Sequence, residues 1–418
     1  MKNLMKLSLL TTAGFCALST PSYSEGVNAL VEDGKFFGEV RYRFENVEQA
    51  GFSNKAEAHT VRTNFGFKTG VYNDFQALVE AQIVHHLSDG FNSTTNGNST
   101  HPVVADPDGA EINELWLSWA GLPQTAFKVG RQKINIDNQR FVGTVAWRQN
   151  DQTFDAATIT NSSIENLDLM YGYIGNVNRI QGGDHALGNL DTETHIAHAS
   201  YAFADWLNAT AYSYWLDIDE VAALSSKTYG LRATGKAPIN DDWTFAYEAE
   251  YAMQEEHGNN TASYDEGYYH IAPSISGHGF TLKAGYEVLE GDGTNAFQTP
   301  LATAHKFNGW ADTFLSTPAA GLEDAYISAS YKVSGTDSIL DGTKFTAVYH
   351  DFDSQESTVG DFGDELDFAI GKTFILPDAG QPFKKVSVTL KYADYNGENT
   401  AGADADREKI WLQIGTKF

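Results

Sequence analysis

Along most of its length the chain alternates apolar and polar residues in stretches of roughly ten to fourteen, the period of a strand whose two faces meet different surroundings. In the last stretch Ile410, Leu412, Ile414 and Phe418 fall on one face and Arg407, Lys409, Gln413 and Lys417 on the other. Just before it, Val386, Val388, Leu390 and Tyr392 oppose Lys385, Ser387, Thr389 and Lys391. Far upstream Val40, Tyr42 and Phe44 oppose Glu39, Arg41 and Arg43, and Phe65 and Phe67 oppose Arg62, Asn64 and Lys68. In the middle Trp243, Phe245, Tyr247 and Tyr251 oppose Thr244, Glu248 and Glu250.

Gly, Pro, Asn, Asp and Ser punctuate these stretches and set their ends. The pattern predicts strands at 35–47, 59–71, 74–86, 111–121, 125–134, 152–161, 165–176, 192–204, 206–218, 226–237, 242–255, 264–275, 278–289, 323–334, 339–352, 362–375, 384–396 and 406–418. That is eighteen strands, with sixteen as the alternative if one hairpin is miscounted. Long gaps at 87–110, 135–151, 177–191 and 290–322 alternate with short ones such as Tyr72-Asn73, 122–124, Asp205, 276–277 and 335–338. Long loops at one end and tight turns at the other are the habit of an outer-membrane barrel.

One face suits lipid and the other water, and strands can cross a bilayer only as a closed barrel in which every backbone group is paired. The expected fold is therefore all-β, a transmembrane antiparallel β-barrel over residues 25–418. A large soluble all-β protein would need a dry core on one face, which the regular polar faces argue against. No run of about 18 apolar residues follows the N-terminal segment, so membrane-spanning helices are not expected.

Residues 1–24 read as a secretory signal peptide: Lys2 and Lys6 lead an apolar stretch from Leu7 to Leu18, and Ser22 and Ser24 supply the small residues before a cut at Glu25. The single cysteine, Cys16, lies inside that segment, so disulfide staples and thiolate metal sites drop out. The terminal Phe418 closes an alternating strand on an aromatic residue, the kind of ending that outer-membrane assembly machinery reads. The expected location is the outer membrane of a Gram-negative-type bacterium, with lipid and lipopolysaccharide as surroundings.

The formal net charge is −27. Nucleic acid is an unfavourable partner for so acidic a chain. The scarce positive charge nevertheless gathers on the water-facing parity: Arg41, Arg43, Arg62, Lys68, Lys128, Arg232, Lys236, Lys283, Lys344, Lys385, Lys391, Arg407 and Lys409. Acids share that face at Glu39, Glu80, Glu248, Glu250, Glu287, Glu365 and Asp367, while Asp351, Asp353, Asp361 and Asp364 read as loop acids. Basic rings in a pore favour anions, and acidic and basic clusters across a constriction set up a transverse field. Lumen charges that only solvate the channel and pair with each other are an equal alternative.

The most distinctive stretch runs from Val129-Gly-Arg-Gln132 through Arg140 to Trp147-Arg148, followed by Thr153-Phe-Asp155. Together with Arg41-Tyr-Arg-Phe-Glu45, it resembles the alginate-export family of outer-membrane β-barrels, with motif-level similarity over about a quarter of the chain. The resemblance implies an eighteen-stranded barrel with an arginine-rich lumen for an acidic polysaccharide. The abundance of luminal acids departs from a polyuronate conduit.

The loop 135–151 is the expected constriction, because Arg140, Trp147 and Arg148 could hold an acid group and stack on a ring; packing of Trp147 and Arg148 against the wall to fix the loop is the plainer alternative. Arg131 and Lys133 fall on the lipid parity unless a bulge near Gly130 or an exit from the membrane intervenes. The candidate channel-lining residues are thus Arg41, Arg43, Arg62, Lys68, Arg131, Arg140, Trp147, Arg148, Arg232, Lys283 and Arg407.

No metal or cofactor is expected. His85-His86, with His59 and His101, lacks ligand spacing, and the acid pairs Asp404/Asp406 and Asp217/Asp219 lack a full calcium loop. There is no nucleophile elbow, phosphate loop or dinucleotide fingerprint. The sequence favours a porin-like channel for small hydrophilic solutes, anionic or sugar-type, over a dedicated export pore for an acidic exopolysaccharide such as alginate, and over an outer-membrane enzyme or adhesin.

Overall fold

The computed structural model describes residues 28–356, 359–376, 384–397 and 405–418. Its eighteen strands are β1 (Lys35–Gln49), β2 (Ala56–Lys68), β3 (Phe75–His86), β4 (Gly109–Leu122), β5 (Thr125–Gln132), β6 (Thr153–Ile164), β7 (Leu167–Asn178), β8 (Asn189–Ala204), β9 (Leu207–Leu216), β10 (Ser226–Pro238), β11 (Trp243–Glu256), β12 (Asp265–Gly277), β13 (Phe280–Leu289), β14 (Leu322–Lys332), β15 (Lys344–Asp353), β16 (Asp361–Ile375), β17 (Lys385–Asn396) and β18 (Arg407–Lys417). Each pairs antiparallel with its sequence neighbours in one sheet. The sheet closes where β1 meets β18, from Glu39 opposite Lys417 to Gln49 opposite Arg407. Closure leaves no sheet edge to be satisfied by lipid.

The period-2 pattern sorts the side chains as the sequence analysis expects. Phe65, Leu115, Leu117, Val129, Leu231, Ile271, Ile327, Phe368 and Leu390 are exposed on the outer wall, while Arg41, Arg62, Glu80, Glu250, Glu287 and Asp367, on the opposite parity of the same or neighbouring strands, are buried inside. An apolar outside around a largely polar and charged inside is the signature of an outer-membrane barrel, and the protein belongs in that membrane. No helix among the described residues is long and apolar enough to cross a bilayer.

Most strand ends shift by one to three residues from expectation, and the largest difference is at β15. β15 begins at Lys344 rather than 339, because Ile339 to Gly342 form a turn: Gly342 has φ +77° and its N–H bonds to Val333 O. Alternation continued through the turn by chance. The short 335–338 gap is therefore longer at this end. Asp351, Asp353, Asp361 and Asp364, expected in a loop, belong to the ends of β15 and β16 nearest the long loops. Residues 1–24, including Cys16 and the cleavage site, and Asp404 lie outside the described residues.

What fills the barrel is loop. The long connections at 87–108, 133–152 and 290–321, called here L2, L3 and L7, fold inward. Ile134, Ile136 and Val142 of L3 and Phe297, Leu301, Ala311 and Phe314 of L7 pack into one apolar cluster with Tyr212, Tyr214 and Tyr268 of the wall. Phe91 and Val104 of L2 make a second cluster with Val47, Ala56 and Ala58. A bridge between Val142 and Leu301 joins L3 to L7. Burying these apolar side chains, at roughly 1.5–3 kcal/mol each, holds the loops in the lumen against water.

Candidate functional site: the loop-narrowed lumen

The inward charges segregate in the main around the barrel, with Glu39 and Glu45 of β1 and Lys283 of β13 as exceptions. β17, β18, β1 and β2 present Lys391, Arg407, Lys409, Arg41, Arg43 and Arg62, whereas β11 to β16 present Glu248, Glu250, Glu287, Asp324, Glu365 and Asp367. L3 docks on the basic arc mainly through its backbone. Arg41 donates to Gln149 Oε1 at 2.9 Å, to Ala146 O at 3.0 Å and to Arg148 O, and Arg43 donates to Trp147 O. Arg62 pairs with Asp151 of the loop at 3.0 Å and with Glu39 at 2.6 Å. These arginines supply donors to carbonyls that no strand ladder can satisfy.

The side chains of L3 reach further. Arg140 crosses to the acidic arc, where its Nε lies 2.9 Å from Glu287 and it donates to Asn308 of L7 at 3.0 Å. Arg148 binds Glu45 of β1 at 2.9 Å, Asp312 of L7 at 3.4 Å and Asp106 of L2 at 3.9 Å. One guanidinium thus ties the wall to three inward loops. Both arginines are buried, 3% and 6% exposed, which places them inside the plug rather than along open water. Burial alone would raise the carboxyl of Asp151, but Arg62 and Lys133 outweigh it and hold it down at about 2. Asp312 is likewise held well below its ordinary range, where His305, Lys409 and Arg148 overcome the burial.

L7 docks with the opposite chemistry. Ala311 N–H donates to Glu365 at 2.7 Å and Trp310 N–H to Asp367 at 3.3 Å. Gly309, at φ +82°, sits so close that a Cβ there would meet Glu365 Oε2 at 2.2 Å. Arg407 accepts the loop from the other arc, donating to Ala311 O at 3.1 Å and Asp312 O at 2.9 Å.

Between L3, L7 and the wall lies a cavity of about 540 Å³. Asn135, Gln139, Thr144 and Thr303 give it hydrogen-bonding groups, and Trp147 and Trp310 give it aromatic faces. Its cations are Lys306 and Lys391. Trp147 stacks flat on His305, 4.1 Å between centroids with the planes 5° apart, and Arg43 lies over the same indole at 4.2 Å.

Of the residues singled out in the sequence, Arg41, Arg43, Arg62, Arg140, Arg148 and Arg232 are engaged by carbonyls or carboxylates; Arg232 holds Glu248 at 3.1 Å and Glu250 at 3.5 Å. Arg407 holds L7, and Trp147 lines the cavity. Lys68 lies 5.9 Å from the Trp116 ring and Lys283 5.4 Å from the Tyr326 ring, with no carboxylate within 4 Å of either among the described residues.

Arg131 is the exception. It stands opposite Leu115 on the lipid parity and pairs with Asp155 on the outer face, 2.7 Å away. No bulge interrupts β5 at Gly130; the irregularity is in the β3–β4 pairing at Glu80/Ala81. β5 ends at Gln132, so Lys133 leaves the sheet and turns inward to Asp151 at 2.9 Å and Glu80 at 3.0 Å. His85 and His86 contact Asp108 and the Asp106 carbonyl at the rim.

The sequence reading missed Lys306, His305 and Trp310 of L7 and passed over Lys391 as one luminal lysine among many. A long loop carrying Trp310, His305 and the turn-forming Asn308-Gly309 pair was the available signal.

Comparison with solved structures places the fold among porin-like channels. OccAB2 of Acinetobacter baumannii superposes with a TM-score of 0.74 at 17% identity, over 93% of this chain and 99% of that one. OccK3 (OpdO) of Pseudomonas aeruginosa gives 0.72 at 14% identity, over 94% and 98%. OpdK of Pseudomonas aeruginosa, solved with vanillate, gives 0.70 at 13% identity, over 93% and 99%. No functionally characterised protein in curated collections matches the sequence. The alginate export family matches residues 34–305, which takes in the first strand, L3 with its arginines and the first half of L7. This chain belongs to the alginate export family.

Proposed function

We propose that the barrel is a passive outer-membrane channel for small hydrophilic solutes, with a preference for anionic or sugar-type ones, and not an enzyme. The observation that carries this reading is the cavity between L3 and L7. It combines two lysines, two indoles and a set of amides and hydroxyls in a lumen whose other arginines are already engaged. Cations beside a narrow path favour anions, and an aromatic wall accommodates rings. OpdK, solved with vanillate, is a fold neighbour that holds a ring-bearing carboxylate. The test is planar-bilayer conductance with reversal potentials in a salt gradient. Anion preference is expected; a barrel that passes mainly cations, or no current, would overturn the proposal.

Family membership favours a second reading, an export pore for an acidic polysaccharide. The acidic arc of β11 to β16 argues for the first, because its carboxylates, Asp324 and Asp367 buried among them, are taken up in holding L7 and the wall and leave no basic track on that side for a polyanion. Block of the current by short polyuronates from one side only, together with loss of exopolysaccharide secretion in a deletion strain, would move the assignment to the export pore. Two further proposals concern the ends of the chain. Residues 1–24 direct export, which N-terminal sequencing of the membrane-extracted protein tests, and Phe418 recruits the assembly machinery, so that Phe418→Ala lowers the folded yield in the outer membrane.

A further inference from the structure

Lys391 is the lysine of the lumen whose situation is least explained by packing. It projects from β17 and is 8% exposed, yet no Asp or Glu lies within 4 Å of its Nζ among the described residues. Its neighbours contrast with it: Lys409 is paired with Asp312 at 2.8 Å, and Lys133 with three carboxylates. The ammonium of Lys391 is held instead by ring faces, with Trp310 at 3.8 Å, Trp147 at 4.2 Å and Trp411 at 5.3 Å from centroid to Nζ. Aromatic faces stabilise a cation through their quadrupole without cancelling its charge. An incoming carboxylate favours the protonated ammonium and meets that charge directly.

The remaining polar contact fixes where that charge sits. Lys391 Nζ lies 2.7 Å from His305 Nε2, and His305 Nδ1 lies 2.7 Å from Asp312 Oδ1. Asp312 accepts from Nδ1–H, so Nε2 is the free lone pair and accepts one of the three ammonium protons. Burial pushes the imidazole down to about 3, against the pull of Asp312, so His305 is neutral in this role at physiological pH. One donor is used, and two remain. Lys391, Lys306, Trp147 and Trp310 all border the same cavity, with Asn135, Gln139 and Thr303 beside them.

We infer that Lys391 is the solute-reading residue of this channel, positioned by the Asp312–His305 pair, and that the cavity binds one six-membered ring bearing a single carboxylate. The carboxylate takes the two spare Lys391 donors with Lys306 alongside, and the ring lies against Trp310, since His305, Arg43 and Lys391 already cover the Trp147 ring. The inference deepens the channel reading and names its solute class. His305 acts through Lys391, as a positioning residue.

The test uses the full barrel in a planar bilayer in potassium chloride, with glucuronate, benzoate and glucose added in turn, and the same three solutes titrated against tryptophan fluorescence in detergent. Transient block and saturable quenching are expected from one or both carboxylates, and not from glucose at equal concentration. Benzoate alone would mark aromatic acids as the solutes, and glucuronate alone sugar acids. Lys391→Gln should raise the half-blocking concentration at least tenfold, and Lys391→Arg by less. His305→Gln, whose amide can still accept from the ammonium, should stay near wild type where His305→Leu weakens block several-fold. Unchanged block in Lys391→Gln, or glucose acting as well as the acids, overturns the site. A barrel that carries no current but still shows carboxylate quenching lost in Lys391→Gln removes the channel reading and keeps the site.

Discussion

L3 and L7 both enter the lumen and meet at one bridge, but they are held there by opposite chemistry. L3 turns its carbonyls to Arg41 and Arg43, while L7 turns its amides at Trp310 and Ala311 to Glu365 and Asp367. The difference follows the wall each loop meets, basic on β17 to β2 and acidic on β11 to β16. A guanidinium offers five fixed donors and bridges several carbonyls at once, which an amide side chain cannot do. A carboxylate accepting one N–H can be replaced by any oxygen of the same shape. L3 should therefore depend on the charge of its anchor, and L7 on the shape of its own.

Arg148→Ala is expected to have the largest effect, because it leaves Glu45, Asp106 and Asp312 buried without their common partner. A loss of about 3–5 kcal/mol is expected, with higher and noisier single-channel conductance as L2, L3 and L7 come apart. Guanidinium unfolding followed by tryptophan fluorescence reads the first, and bilayer recordings read the second. A wild-type midpoint with wild-type conductance would remove the shared knot from the comparison.

Gly309→Ala probes the shape dependence of L7. Its positive φ and the clash with Glu365 should cost about 1–3 kcal/mol and open the channel while the L3 contacts stay in place. An unchanged conductance would show that the tight approach of L7 to β16 is unimportant.

The sharpest contrast is between two changes to glutamine, each of which removes a charge. Arg43→Gln should cost about 2 kcal/mol, since Trp147 O loses its donor and Asp106 its cation. Glu365→Gln should cost less than about 1 kcal/mol, since the amide oxygen still accepts from Ala311 N–H and no Lys or Arg lies within 4 Å of Glu365 among the described residues. Equal costs in denaturation would erase the distinction.

The smallest effect is the order in which acid releases the loops. His305 faces Asp312, Lys391 and Arg148, and is held neutral, with a folded pKa near 3 against an ordinary 6.5. Its contribution is complete above pH 6.5 and is lost as the pH falls from there toward 3. Asp151 is held ionised, so its contribution to L3 is complete above 3.8 and is lost between 3.8 and about 2. Channel flicker from L7 should therefore begin at milder acidity than flicker from L3. His305→Gln recordings between pH 7 and 4 check this, and flicker that persists unchanged in that variant would count against it.

The fold was largely legible because each strand carries its own two-sided pattern, independent of what lies across the sheet. The misplaced start of β15 shows the limit: Ile339-Leu340 continued the alternation into a turn that Gly342 makes. L3 was legible through Arg140, Trp147 and Arg148. Their partners were not, since Arg148 reaches Asp312 across 164 residues and Arg140 reaches Glu287 across 147. Arg131 was misassigned because an outward ion pair with Asp155 can satisfy an arginine just as a lumen does. L7 left only a faint local trace, in Trp310, His305 and the Asn308-Gly309 turn, since its anchors are backbone amides and carboxylates 54 and 57 residues away.

Joining β1 to β18 also sets a schedule for birth of the molecule. β1 is made long before its partner β18, from Glu39 opposite Lys417 to Gln49 opposite Arg407, so the ring cannot shut until β18 has been made. Contacts so distant along the polypeptide form slowly, and meanwhile both raw borders invite pairing with strangers. Keeping both borders from premature pairing is thus a demand of the topology itself, whatever solute the finished ring carries.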